Sequence, residues 1–159
     1  ILERNIMISI GKKIPNFTAR ATSEVTIKSK DLLGKIIILY FYPKDDTPGC
    51  TIEGQDFSKN YNKFKKLNSE VFGISRDSLI LHEKFKKKFS FPFDLISDES
   101  EKLCNLFDVI KEKNMYGKKY MGIERSTFII DEKQKLFKEW RKVKVKDHVN
   151  EVLAAIKDL

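Results

Sequence analysis

Residues 35–42 read KIIILYFY, a run that is apolar at every position after the first. β-branched and aromatic side chains suit a pleated strand, and the absence of polar alternation suits one buried on both faces. Such a strand needs neighbours at both edges and cover above and below, which 159 residues can supply from one core. Pro43 ends it.

The flanking sequence supplies the cover. Residues 17–21 and 25–28 flank a polar turn and are expected to form a small N-terminal hairpin, and 30–33 a helical turn closed by Gly34. Over 50–67 the apolar positions Ile52, Phe57, Tyr61, Phe64 and Leu67 recur at spacings near three and four, which predicts an amphipathic helix. Strands are expected at 71–75 and 93–96, and helices at 79–89 and 99–107, the latter with Ser97 and Asp98 as capping candidates. Strands over 126–131 and 136–142 and a closing amphipathic helix over 145–159 complete the chain. Alternating strands and helices followed by a hairpin predict an α/β architecture with a mixed central sheet flanked by helices. One domain is expected over 1–159, with residues 1–6 either an upstream extension or a cloning remnant ahead of Met7.

Several function classes are excluded by composition. No apolar run approaches the ~20 residues of a membrane span, and the start lacks the pattern of an export signal. Cys50 and Cys104 are too few for a disulfide scaffold, so a reducing compartment, the cytoplasm first, is expected. His82 and His148 sit at no metal-ligand spacing, and neither a metal nor a cofactor is expected. The net charge of +8 invites a nucleic-acid reading, but lysine greatly outnumbers arginine, the better bidentate ligand of phosphates and bases. Even the densest run, Lys84 with Lys86, Lys87 and Lys88, alternates with Phe85 and Phe89 as the wet face of a helix would. No nucleic acid is expected as partner.

Chemistry concentrates between the buried strand and the helix after it, in the segment PKDDTPGC of residues 43–50. Open α/β sheets place ligands at the carboxyl ends of their strands. Cys50 would lie at the first turn of the helix, where unpaired N–H groups and the helix dipole favour a thiolate, the reactive form of cysteine. Taken singly, Cys50 could be a small core residue, Thr47 a turn residue, Pro43 strand punctuation and Glu53 ordinary first-turn chemistry.

Together, Pro43, Thr47 and Cys50 form a PxxxTxxC pattern that resembles the peroxiredoxin signature. The stretch YPKDDTPGCTIE, with FDLISDES, MYGKKYMGIERSTFIID and the closing helix, is similar to the bacterioferritin comigratory protein or peroxiredoxin Q branch over nearly the whole chain. The resemblance implies a thioredoxin-like fold and a thiol-dependent peroxidase acting on hydrogen peroxide and organic hydroperoxides without a cofactor. It implies Cys50 as peroxidatic nucleophile, Thr47 as the hydroxyl that bonds the peroxide, Pro43 as a shield and Arg125 as a distant guanidinium. Arg125 suits the part because its planar fork can hold thiolate and peroxide together, and Glu53 is placed as the group that orients it or supports the helix turn. Members of this branch are usually monomers.

In two respects the sequence departs from that branch. Gln55 stands where many members carry a second cysteine five residues after the first, and the other position used, around Phe85 and Lys86, also lacks one. The sulfenic acid formed at Cys50 must still condense with a thiol. Either Cys104 resolves it, or an external thiol does, supplied by glutathione, glutaredoxin or thioredoxin; the apolar neighbours Leu103, Leu106 and Phe107 fit a packed Cys104. Two rivals share the fold. A disulfide reductase would need a CxxC where this chain reads CTIE, and a non-catalytic basic module for nucleic acid or another acidic partner would consume no peroxide.

Overall fold

The computed structural model describes residues 8–159, so the question raised by residues 1–6 lies outside the described residues. In chain order it contains β1 (Thr18–Arg20), β2 (Thr26–Lys28), a short 3-10 turn (Ser29–Leu32), β3 (Ile36–Phe41) and α1 (Pro48–Lys66). There follow β4 (Ser69–Ser75), α2 (Leu79–Phe89), β5 (Asp94–Ser97) and α3 (Lys102–Leu106). The chain continues with β6 (Ile110–Met115), β7 (Lys118–Ile123), β8 (Ser126–Ile130), β9 (Leu136–Trp140) and α4 (His148–Ile156).

The KIIILYFY strand is the middle of a five-stranded sheet ordered β5-β4-β3-β8-β9. β3 runs parallel to β4 and antiparallel to β8, so the sheet is mixed as expected. Its alternation divides the core in two. Ile36, Ile38 and Tyr40 pack with Phe57 and Phe64 of α1, Phe85 of α2 and Val152, Leu153 and Ile156 of α4. Ile37, Leu39 and Phe41 face the opposite way, toward Leu103 and Cys104 of α3 and Phe17 and Ile27 of the N-terminal hairpin. Both faces are dry because both carry apolar side chains, which is why the strand shows no polar alternation. Tyr40 stacks on Phe57 with ring centroids 4.4 Å apart, anchoring α1 to the strand that feeds it.

α2 keeps the expected bounds, with Ser78 accepting from Leu81 N–H as its cap. On this helix Lys84, Lys87 and Lys88 are exposed around buried His82 and Phe85, so the lysine run is a solvated face. The helix expected over 99–107 shrinks to one turn and a half. Glu101 takes a left-handed conformation (φ 63°) ahead of it. Asp98 receives the N–H groups of Leu103 and Cys104 at 3.0 and 2.8 Å, whereas the Ser97 hydroxyl donates to the Asp77 carbonyl instead. The closing helix starts at His148 rather than 145, behind Asp147 at φ 60°. The hairpin β6–β7 was not foreseen. Its strands are mostly solvent-exposed, without an apolar face, and its turn residues Tyr116 and Gly117 have φ of 53° and 79°, the two positive values of a type I′ turn. No helix among the described residues is long and apolar enough to cross a membrane.

Candidate active site

Where β3 ends, the chain turns through residues 43–47 and enters α1 with Thr47 as extended N-cap and Pro48 at the first helical position. Proline is at home there because its missing N–H would have no intrahelical partner anyway. Gly49 and Cys50 therefore follow with backbone N–H groups that α1 cannot satisfy. The Thr47 hydroxyl does not cap them; it donates to the Lys44 carbonyl at 2.8 Å. The site is thus left with free donors at the mouth of the helix and a threonine oxygen whose lone pairs are open.

Cys50 is 2% exposed, and Glu53, one turn further along the same helix face, is fully buried. Arg125, between β7 and β8, reaches across to both. Its Nη2 lies 3.4 Å from the Cys50 sulfur and its Nη1 donates to Glu53 Oε1 at 2.6 Å. One planar fork thus spans sulfur and carboxylate, an arrangement that a lysine could not reproduce. Burial opposes the charge of Arg125, but Glu53 and Cys50 outweigh it and hold the guanidinium above its ordinary range. For Glu53 the balance is reversed: burial pushes it up to about 7, with Arg125 opposing and Asp56 adding to the rise. Its second oxygen, Oε2, has no hydrogen-bond partner among the described residues, and neither does the buried Tyr40 hydroxyl. Burial, then the charges of Glu53 and Cys50, drive the Tyr40 phenol well up, so it stays neutral.

The structure brings together Cys50, Arg125 and Glu53, and holds Thr47 and Pro43 in the loop that leads into Cys50. Cys104 is not part of this assembly. It is fully buried in the core on the other face of the sheet from Cys50, and burial followed by Asp98 pushes its thiol up. Both cysteines are free.

Three features escaped the sequence. Gly49 makes room for the guanidinium, since a Cβ there would sit 3.1 Å from Arg125 Nη2. Gly73 leaves space for the Tyr40 ring in the same way, at 2.8 Å from its hydroxyl. The third is a buried network at the loop: Tyr42 donates to Asp45 Oδ1 at 2.6 Å, and His82 Nδ1 lies 2.6 Å from Asp45 Oδ2. The only sequence signal for it was helical phase, which puts His82 one turn before Phe85 on the buried side of α2.

The AhpC/TSA family model matches residues 10–138. This chain belongs to the AhpC/TSA family. Peroxiredoxin Bcp of Bacillus subtilis is 51% identical over 152 residues, which are 96% of this chain and 97% of that protein. A peroxiredoxin Q structure from Xylella fastidiosa superposes with a TM-score of 0.91 at 40% identity, over 95% of this chain and 96% of that one. The bacterioferritin comigratory protein of Xanthomonas campestris, described in terms of alkyl peroxide reduction and trapped-intermediate and ligand complexes, matches with a TM-score of 0.85 at 45% identity, over 89% of this chain and 90% of that one. The resemblance to the peroxiredoxin Q branch and the thioredoxin-like fold hold. As an AhpC/TSA protein of this kind, the chain is a peroxiredoxin, a thiol-dependent peroxidase whose substrate is a peroxide and whose reductant is a thiol. The reading as a non-catalytic basic module is not favoured.

Proposed function

We propose that Cys50 is the peroxidatic cysteine and that hydrogen peroxide and organic hydroperoxides are reduced at its sulfur. The observation that carries this reading is the 3.4 Å contact from Arg125 Nη2 to that sulfur, made while Nη1 is tied to Glu53. The deprotonated sulfur attacks one peroxide oxygen; the S–O bond forms as the O–O bond breaks, and the leaving oxygen departs as water or an alcohol after taking up a proton. Negative charge grows on that leaving oxygen, and the Gly49 and Cys50 N–H groups and Arg125 are fixed donors suited to meet it. Thr47, whose O–H donates its hydrogen bond to the Lys44 carbonyl, offers lone pairs to the peroxide O–H. Pro43, half-buried beside the site, adds no competing N–H and limits water.

The product at Cys50 is a sulfenic acid, and an external thiol resolves it. Condensation forms a mixed disulfide and releases water; a second thiol then releases the oxidised reductant and restores Cys50. Glutathione, glutaredoxin and thioredoxin are the candidate reductants. Burial of Cys104 on the opposite face supports this route over an internal disulfide, because the two Cα atoms would have to come within ~7 Å through a packed sheet. We place the protein in the cytoplasm or another reducing compartment, acting as a monomer.

Peroxide consumption with each reductant tests the assignment. Cys50→Ser should lose turnover, and Cys104→Ser should keep it with at least one external thiol. Mass spectrometry of peroxide-treated protein should find Cys50 joined to the added thiol. A Cys50–Cys104 disulfide would overturn the external route, and a Cys50→Ser protein at full rate would overturn the assignment itself.

A further inference from the structure

The loop that carries Thr47 is held from α2 as well as by its own chain ends. Asp45, at its centre, is buried, and both its carboxylate oxygens are engaged: Oδ1 by the Tyr42 hydroxyl and Oδ2 by His82, each at 2.6 Å. His82 is wholly buried, and its Nε2 lies 2.9 Å from the Ile96 carbonyl oxygen. A carbonyl only accepts, so Nε2 carries a hydrogen, and the contact between Nδ1 and Asp45 Oδ2 requires one further hydrogen held between those two atoms. The Asp45 backbone N–H donates to Asp77 Oδ2 at 2.9 Å, and Ser75 holds the same oxygen at 2.5 Å. Asp46, next in the loop, takes a positive φ of 56° and meets Lys88 of α2 at 2.8 Å, an exposed pair of little energetic weight.

Asp45, Asp77 and His82 together present one ligand-type atom each within 4.8 Å of one another. They do not form a metal cage: Nδ1 and Oδ2 already share a hydrogen bond, and Asp77 Oδ2 already accepts from two donors. The trio is a clamp. A buried carboxyl group stripped of a hydrogen-bond partner is costly, so the His82 contact determines where Asp45, and with it the Lys44–Thr47 hydrogen bond, can sit.

We propose that His82 is a positioning residue for peroxide reduction, acting through its Nδ1 contact with Asp45 to place the Thr47 hydroxyl against the peroxide. The inference rests on Cys50 and Thr47 having the roles proposed above. A misplacement of ~1 Å can lower a rate by about 100-fold, whereas alkylation of the Cys50 sulfur by a neutral reagent has no need of Thr47.

An Asn side chain places its amide near the position of Nδ1, and a Gln side chain places its amide near that of Nε2, so the two substitutions separate the two contacts. In reduced protein His82→Gln should lose about 10- to 100-fold in its rate with hydrogen peroxide, while His82→Asn stays within about threefold of the wild type. Both should alkylate at Cys50 with iodoacetamide at close to the wild-type rate. Tyr42→Phe removes only the Oδ1 donor and should lower the peroxide rate about threefold or more with alkylation unchanged, a measurement that stands even where a His82 variant does not fold. A wild-type peroxide rate in His82→Gln or Tyr42→Phe overturns the inference. So do equal losses in His82→Gln and His82→Asn, or alkylation rates that change in parallel with the peroxide rate. Turnover by Cys50→Ser would instead sink the assignment of the nucleophile, which is a separate failure.

Discussion

Replacing Glu53 by Gln should reverse part of the protein's pH dependence of stability. The cause is visible in the site: Oε1 is bonded to Arg125 but Oε2 is buried without a partner, and burial raises the group to about 7 against an ordinary value of 4.5. Between those two values the folded protein keeps a proton that the unfolded chain has released. This contribution to the unfolding free energy is therefore complete below pH 4.5 and is lost as pH rises toward 7. At about 1.4 kcal/mol per pH unit the loss comes to about 3 kcal/mol. Glutamine cannot ionise, so Glu53→Gln should gain about 3 kcal/mol relative to the wild type between pH 4 and pH 8. Urea denaturation followed by the fluorescence of Trp140, at a series of pH values, measures the difference directly. A difference that stays flat with pH, or that falls as pH rises, would refute the argument, because it would mean that Arg125 outweighs burial at the carboxylate.

His148 should oppose Glu53. Burial first, and Arg125 second, lower it to about 4 from 6.5, so its contribution is present above pH 6.5 and is lost as pH falls toward 4. Its replacement by Gln, which can still meet the Thr127 hydroxyl, should remove about 3 kcal/mol of acid sensitivity in the same urea series. Gly49→Ala places a methyl 3.1 Å from Arg125 Nη2 and should lower the peroxide rate about tenfold. Stability should hold or rise in that variant, since Ala exceeds Gly as a helix former by about 1 kcal/mol; an unchanged rate in stopped-flow would count against the role of Arg125. Gly54→Ala would bring a methyl to 2.5 Å from Phe91 Cζ, a clash that should cost about 1–3 kcal/mol in urea and be relieved by a smaller residue at position 91.

Local pattern in the chain was enough for the elements whose side chains report burial directly. Residues 35–42 read as a strand dry on both faces because both faces are covered, and α2 kept its bounds because a Ser cap and a helical apolar period agree there. The motif around Cys50 was legible for a related reason: Pro43, Thr47 and Cys50 lie within eight residues, so their spacing survives in the linear text. The β6–β7 hairpin was not legible, since exposed strands carry no apolar alternation to mark them.

Contacts between distant residues belonged to the tertiary structure alone. Arg125 reaches a sulfur 75 positions away, and His82 meets Asp45 across 37. Without the family resemblance, nothing in the composition of either segment announced the partner. The opposite placement of Cys50 and Cys104 was equally invisible, because a sequence shows which residues are apolar but not on which side of a sheet their helices land. Periodicity encodes a residue's facing within its own element; burial of Glu53 with one oxygen unpaired, and the rise in its proton affinity, arise only when separate elements close around it.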